Sequence, residues 1–114
     1  MQRKSILVVE DEYFLADDCV SLIKEAGLDV VGPLASLKDA LELVDGGGTF
    51  DAALLDVNLQ GHTVFPLLDI VLEKRLPVAI YTGYPTLPKQ YAAVATFLKP
   101  NQSDLAIQYL SKRV

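Results

Sequence analysis

Ser5-Ile6-Leu7-Val8-Val9-Glu10-Asp11-Glu12 decides the fold. A short, unbroken apolar run reads as a strand buried on both faces, as in a parallel sheet covered by helices on each side. Acidic residues follow at once, so the carboxyl end of that strand opens into a charged loop. Downstream the same grammar repeats. Leu28 to Val31 is a second strand, closed by Gly32-Pro33, and Ala52 to Leu55 is a third, ending in Asp56. Pro77 to Tyr81 is a fourth and Val94 to Leu98 a fifth. Segments with helical spacing lie between them. Phe14 to Ala26 puts Leu15, Cys19, Leu22 and Ala26 on one face, with Gly27 as the C-terminal cap. Ser36 is an N-cap for a helix carrying Leu37, Ala40, Leu41 and Val44, stopped by Gly46-Gly47-Gly48. Val64 to Lys74 is a third helix that tolerates Pro66 in its first turn. Tyr84 to Tyr91 is broken by Pro85 and Pro88, so a fourth helix there is short or irregular. Ser103 to Lys112 is the last helix, with Leu105, Ile107 and Leu110 as its apolar positions.

Alternation of strand and helix implies a parallel sheet, because parallel neighbours need long crossovers. The expected fold is α/β: a doubly wound, flavodoxin-like sheet of five parallel strands in the order 2-1-3-4-5, with helices on both faces. The 114 residues, 51% of them hydrophobic, suffice for one domain over 1–114 with a core of its own. The last helix reaches almost to the C-terminus, so no output domain is expected within the chain. A net charge of −5, from 10 basic and 15 acidic side chains, argues against a nucleic-acid partner, since duplex binding needs clustered cations. The single cysteine, Cys19, allows no internal disulfide and fits a reducing compartment. No signal-peptide pattern and no bilayer-length apolar run occur, so a cytoplasmic protein without a membrane partner is expected.

Ligands in such sheets bind beyond the carboxyl ends of the strands. The first strand is followed there by Glu10, Asp11 and Glu12, the third by Asp56, the fourth by Thr82-Gly83 and the fifth by Lys99-Pro100. Crowded, ionised Glu10, Asp11 and Asp56 would repel one another. A divalent cation relieves that repulsion, and Mg²⁺ prefers a few oxygen ligands plus waters. Asp56 is then placed as a carboxylate nucleophile toward a phosphoryl group, with Lys99 as counter-charge and Thr82 as hydroxyl donor. Gly83 leaves space for the incoming group. A strand-end carboxylate alone is ordinarily a solvated loop residue; four matched rim segments outweigh that reading. Glu12 is expected near the N-terminus of the first helix as a favourable charge. His62 is read as a solvated loop residue, Cys19 as core, and Asp17-Asp18 as a solvated helix face.

Leu7-Val8-Val9-Glu10-Asp11-Glu12, Leu54-Leu55-Asp56-Val57-Asn58-Leu59, Tyr81-Thr82-Gly83 and Leu98-Lys99-Pro100 resemble the four signatures of the response-regulator receiver domain. They occur in the family's order and span nearly the whole chain. The resemblance implies that Asp56 accepts phosphate from a histidine kinase or histidine phosphotransferase. It implies that Asp11 binds Mg²⁺ directly, that Glu10 acts through a metal-bound water, and that the Asn58 backbone carbonyl is a further ligand. Thr82 and Lys99 would contact the phosphoryl group, and Lys99-Pro100 would be a cis peptide. Such a protein is a switch rather than an enzyme, although it takes part in its own phosphoryl transfer and autodephosphorylation. It would be a monomer or weak dimer whose downstream protein binds at the face of the fourth and fifth elements. Asp56 to Gly61, Val64-Phe65-Pro66 and Pro77 to Tyr84 further resemble the "FATGUY" receivers, many of them stand-alone proteins of alphaproteobacteria. Tyr81 stands where that motif has a small residue.

Three departures bear on signalling. Glu10 stands where many receivers have Asp. Thr96 occupies the usual position of the switch aromatic, and Phe97, one residue later, faces the other side of its strand. The interval from Thr82 to Lys99 is a few residues shorter than usual. The signal is therefore expected to pass through ordering of the fourth helical segment. Two competing functions are a pseudo-receiver, used only as a protein-binding module, and a flavodoxin-like cofactor binder or small phosphatase. The acidic first loop argues against the latter, because it would repel a phosphate unless a metal intervened.

Overall fold

The structure is a computed structural model that describes residues 3–83 and 86–114. The strands are β1 (Ser5–Val9), β2 (Asp29–Leu34), β3 (Ala52–Leu55), β4 (Asn58–Leu59), β5 (His62–Thr63), β6 (Val78–Thr82) and β7 (Ala95–Leu98). The helices are α1 (Tyr13–Glu25), α2 (Leu37–Asp45), α3 (Phe65–Glu73) and α4 (Ser103–Ser111). Five strands form one parallel sheet in the order β2-β1-β3-β6-β7, while β4 and β5 make a separate antiparallel hairpin. With the hairpin set aside, this is the expected 2-1-3-4-5 arrangement.

The central strands are apolar throughout because both faces are covered. Leu7, Val9, Ala53, Leu55 and Ile80 pack with Ala40 of α2 and Leu67, Leu68 and Val71 of α3. The intervening residues Ile6, Val8, Ala52, Leu54, Ala79 and Tyr81 pack with Cys19 and Ile23 of α1 and Ala106, Ile107 and Leu110 of α4. Local signals act as their chemistry dictates. Ser36 Oγ accepts the Asp39 N–H at 3.1 Å and caps α2. Gly27, at φ +81°, ends α1.

Several boundaries differ from expectation. β2 does not stop at Gly32-Pro33 but continues to Leu34, and it can do so because it is an edge strand, where a missing N–H costs no ladder bond. The β1–β2 register slips between Leu7 and Val9, and the Glu10 N–H donates to the Leu34 carbonyl at 2.9 Å. In α1 the buried face is Ala16, Cys19 and Ile23; Ala26 is exposed. Leu15 and Leu22 are half-buried against the same core, as expected, and Leu15 also borders the strand-end cleft. In α4, Leu105 is outward and Ser103, Ala106, Ile107 and Leu110 are buried, the spacing of a helix face.

Between β6 and β7 the described residues form only a single 3₁₀ turn, Lys89–Tyr91, entered from Pro88. The short, irregular fourth helix expected from the prolines is therefore present in this reduced form; the expectation for Tyr84 and Pro85 lies outside the described residues. Tyr91 is buried, stacks on Phe65 at 4.8 Å and 14°, and donates its hydroxyl to Asp69 Oδ1 at 2.6 Å. That contact fastens the segment to α3.

Gly32 sits at φ +99°, and a Cβ there would lie 2.8 Å from Leu34 N and 2.9 Å from Val8 O. Gly32→Ala should therefore cost about 1–3 kcal/mol, read as a lower denaturant midpoint. An unchanged midpoint would show that the β2 end adapts freely.

Candidate functional site

Parallel register brings four strand ends to one rim. Val9 pairs with Leu55, and the Asp56 N–H donates to the Val9 carbonyl at 2.9 Å, so Glu10, Asp11 and Asp56 emerge side by side. Thr82 pairs with Leu98, and the Lys99 N–H donates to the Thr82 carbonyl at 2.9 Å. The side chains then meet. Lys99 Nζ donates to Glu10 Oε2 and to Asp56 Oδ2, each at 2.9 Å. It lies 2.7 Å from Glu10 Oε1 and 3.6 Å from Glu12 Oε1. Glu10, Asp56 and Thr82 are all buried. Asp11, Glu12, Leu15, Asp56, Asn58, Thr82, Gly83, Lys99 and Pro100 line an open cleft of about 510 Å³. Every sequence-predicted site residue thus borders the cleft except Glu10, which lies beneath it.

Burial disfavours a charged carboxylate at Glu10, and the neighbouring Asp56 adds to this against the hydrogen bond from Lys99. The result is a carboxyl pushed up to about 8. Burial pulls the Lys99 ammonium down, but its bonds to Glu10 and Asp56 outweigh that and hold it above the usual lysine range.

Some supports were not legible in the sequence. Tyr81 donates its hydroxyl to the Pro100 carbonyl at 2.9 Å, and Lys99 Nζ lies 5.9 Å from its ring centroid. The one signal for this role was that a large residue stands where the resembling motif has a small one. The peptide between Lys99 and Pro100 is cis, as expected, and so is Gly32-Pro33. The β4–β5 hairpin holds the loop after Asp56. At its tip the Gln60 N–H donates to Asp11 Oδ2 at 3.1 Å and the Gly61 N–H to Asn58 Oδ1 at 3.1 Å. Glu12 makes no side-chain bond to the start of α1; its carboxylate turns toward Lys99 instead. Asp18, read as solvated, accepts a hydrogen bond from Ser103 at 2.9 Å. His62 is exposed on β5.

The cluster suits a hard divalent cation. One oxygen from each of Glu10, Asp11 and Asp56 lies within 4.8 Å of the others. Glu10 Oε1 is the one buried side-chain oxygen or nitrogen among the described residues without a hydrogen-bond partner; the nearby ammonium is at ion-pair distance but poorly aligned. The acidic side chains outnumber the one ammonium, and oxygen-seeking Mg²⁺ would neutralise the excess and favour release of the Glu10 proton.

No protein-family profile and no curated protein matches the chain. Solved structures do. SdrG from Sphingomonas melonis Fr1 is similar at TM-score 0.81 and 28% identity, over 96% of this chain and 98% of that one. The N-terminal domain of a response regulator/sensory box/GGDEF protein from Carboxydothermus hydrogenoformans is similar at 0.78 and 26%, over 96% and 93%. The fold is that of a response-regulator receiver domain. The PhyR receiver domain of Erythrobacter litoralis shares it at TM-score 0.83 and 24% identity, over 99% and 91%. In receiver terms, Glu10, Asp11, Asp56, Thr82 and Lys99 stand at the rim where the four signature segments meet. No helix among the described residues is long and apolar enough to cross a membrane.

The raised Glu10 carboxyl has a consequence for stability. The folded protein keeps that proton up to about 8, whereas an unperturbed carboxyl loses it near 4.5. The folded state then binds more protons in this window, so stability falls as pH rises through it. Without divalent metal, Glu10→Gln should gain on wild type in melting temperature between about pH 5 and pH 8. A difference that stays constant with pH would contradict the burial argument.

Proposed function

We propose that the protein is a phosphorylation-dependent signalling switch that accepts a phosphoryl group on Asp56 from a histidine kinase or histidine phosphotransferase. One observation carries the reading: Asp56 Oδ2 sits 2.9 Å from the Lys99 ammonium, in a cleft that Asp11 and Thr82 also line. A carboxylate held this way is poised as a nucleophile. An Asp56 oxygen forms the bond to phosphorus as the P–N bond to the donor imidazole breaks, and the ring nitrogen keeps the electron pair. Lys99 exchanges a carboxylate contact for a phosphoryl oxygen, and Thr82 donates its hydroxyl to another. Glu10, Asp11, Asp56 and the Asn58 carbonyl would hold Mg²⁺, Glu10 through a water; the ion supplies charge neutralisation on the phosphoryl oxygens. The protein acts in the cytoplasm and has no separate substrate to turn over, so it is not an enzyme in the ordinary sense.

The output face on this reading is the segment before β7. Thr86, Leu87, Tyr91, Ala92, Val94 and Thr96 line a shallow groove there, suited to a downstream protein. With Thr96 in the place of the switch aromatic, Thr82 and the segment beyond it carry the signal by ordering. The same Thr96 also favours the second reading, a phosphorylation-independent pseudo-receiver.

Asp56→Asn should stay folded and lose all labelling by a phosphoryl donor in Mg²⁺. Persistent Mg²⁺-dependent labelling of the variant would overturn the assignment. Asp11→Ala should abolish the modest Mg²⁺ affinity seen by titration; binding equal to wild type would remove Asp11 from the metal site. Beryllofluoride, an acyl-phosphate mimic, should slow hydrogen exchange between Leu87 and Ala93. Unchanged exchange there, with binding established, would refute signalling through that segment.

A further inference from the structure

Glu12 is the acidic residue whose position the proposed chemistry does not use. Its backbone N–H donates to Glu10 Oε2 at 3.2 Å, which fixes the start of its side chain against the cluster. Its carboxylate is mostly exposed, borders the cleft, and comes within 3.6 Å of the Lys99 ammonium. Glu10 and Asp56 already contact that ammonium more closely, on its buried side. Glu12 is therefore surplus to charge balance and adds negative potential on the solvent side, where a phosphoryl donor must arrive.

We propose that Glu12 is a donor-selecting residue, which holds back small, highly charged phosphoryl donors such as acyl phosphates. The inference rests on Asp56 being the acceptor. In the reaction concerned, an Asp56 oxygen bonds to phosphorus while the P–O bond to the acyl group breaks, and the carboxylate leaves with the electron pair. A free acyl phosphate brings its full charge past Glu12 and competes with it for Lys99. A phosphoryl group carried on a protein surface is delivered by that protein's own contacts, so the same repulsion weighs less on it. The repulsion acts through an exposed carboxylate, so it is moderate and screened by salt.

The test compares wild type, Glu12→Gln and Glu12→Asp, each with Mg²⁺ and either acetyl phosphate or the less charged phosphoramidate. Acceptor competence is checked separately by beryllofluoride binding, followed by NMR. The expected result is that Glu12→Gln is labelled by acetyl phosphate roughly three- to tenfold faster at low ionic strength. The gain should shrink as salt is raised and be smaller with phosphoramidate, and Glu12→Asp should stay nearer wild type. A merely structural role would not produce this dependence on salt and donor charge. If all variants bind beryllofluoride but Glu12→Gln is labelled no faster than wild type, Glu12 does not select donors. If none binds beryllofluoride, the acceptor reading itself fails, and this inference with it.

Discussion

The site depends on one ammonium held among carboxylates at the end of a parallel sheet. Lys99 Nζ contacts Glu10 and Asp56 at less than 3 Å, with both carboxylates nearly out of solvent. Two buried acids side by side are costly, and removing their cation would leave charge uncompensated. The backbone places them there regardless: β1 and β3 are neighbours, so Glu10 and Asp56 leave the sheet together. Lys99 reaches them from the far edge of the sheet, two strands from β3 and three from β1, because β7 ends beside β6 and the chain turns at Pro100, where Tyr81 holds the carbonyl. The core beneath keeps these ends in register.

The charges of this arrangement do not balance. One lysine answers Glu10 and Asp56 closely, while Asp11 accepts the Gln60 N–H and Glu12 stands further out. Such a cluster favours an incoming cation, and on the proposed function the cation would in turn favour a phosphoryl group. The chemistry then asks little of the protein beyond position and charge.

Much of the fold and the rim was legible in the sequence for a physical reason. Strands buried on both faces are continuous apolar runs, and Ile6–Val9, Ala52–Leu55 and Val78–Tyr81 are such runs. The residues just beyond each run sit at the rim, so the order of runs predicts which polar side chains meet. The edge was harder to read. Gly32-Pro33 looks like a stop, yet an edge strand loses nothing at a proline and β2 continues to Leu34. The two-residue strands of the hairpin carry no periodic signal at all. In α4 the sequence offers Leu105 as apolar, but the 103, 106, 107, 110 stripe puts Ala106 inward. Contacts such as Tyr91 with Phe65 and Asp69, or Tyr81 with Pro100, join distant residues and leave no local pattern.

The central claim is that Asp56 forms an acyl phosphate. Borohydride reduces an aspartyl phosphate to homoserine, so the acceptor can be trapped and mapped by peptide mass spectrometry. After incubation with Mg²⁺ and a phosphorylated histidine phosphotransferase, homoserine is expected at position 56 and at no other aspartate. Reduction at a different aspartate, or phosphate retained on a histidine or hydroxyl residue of this chain instead, would contradict it.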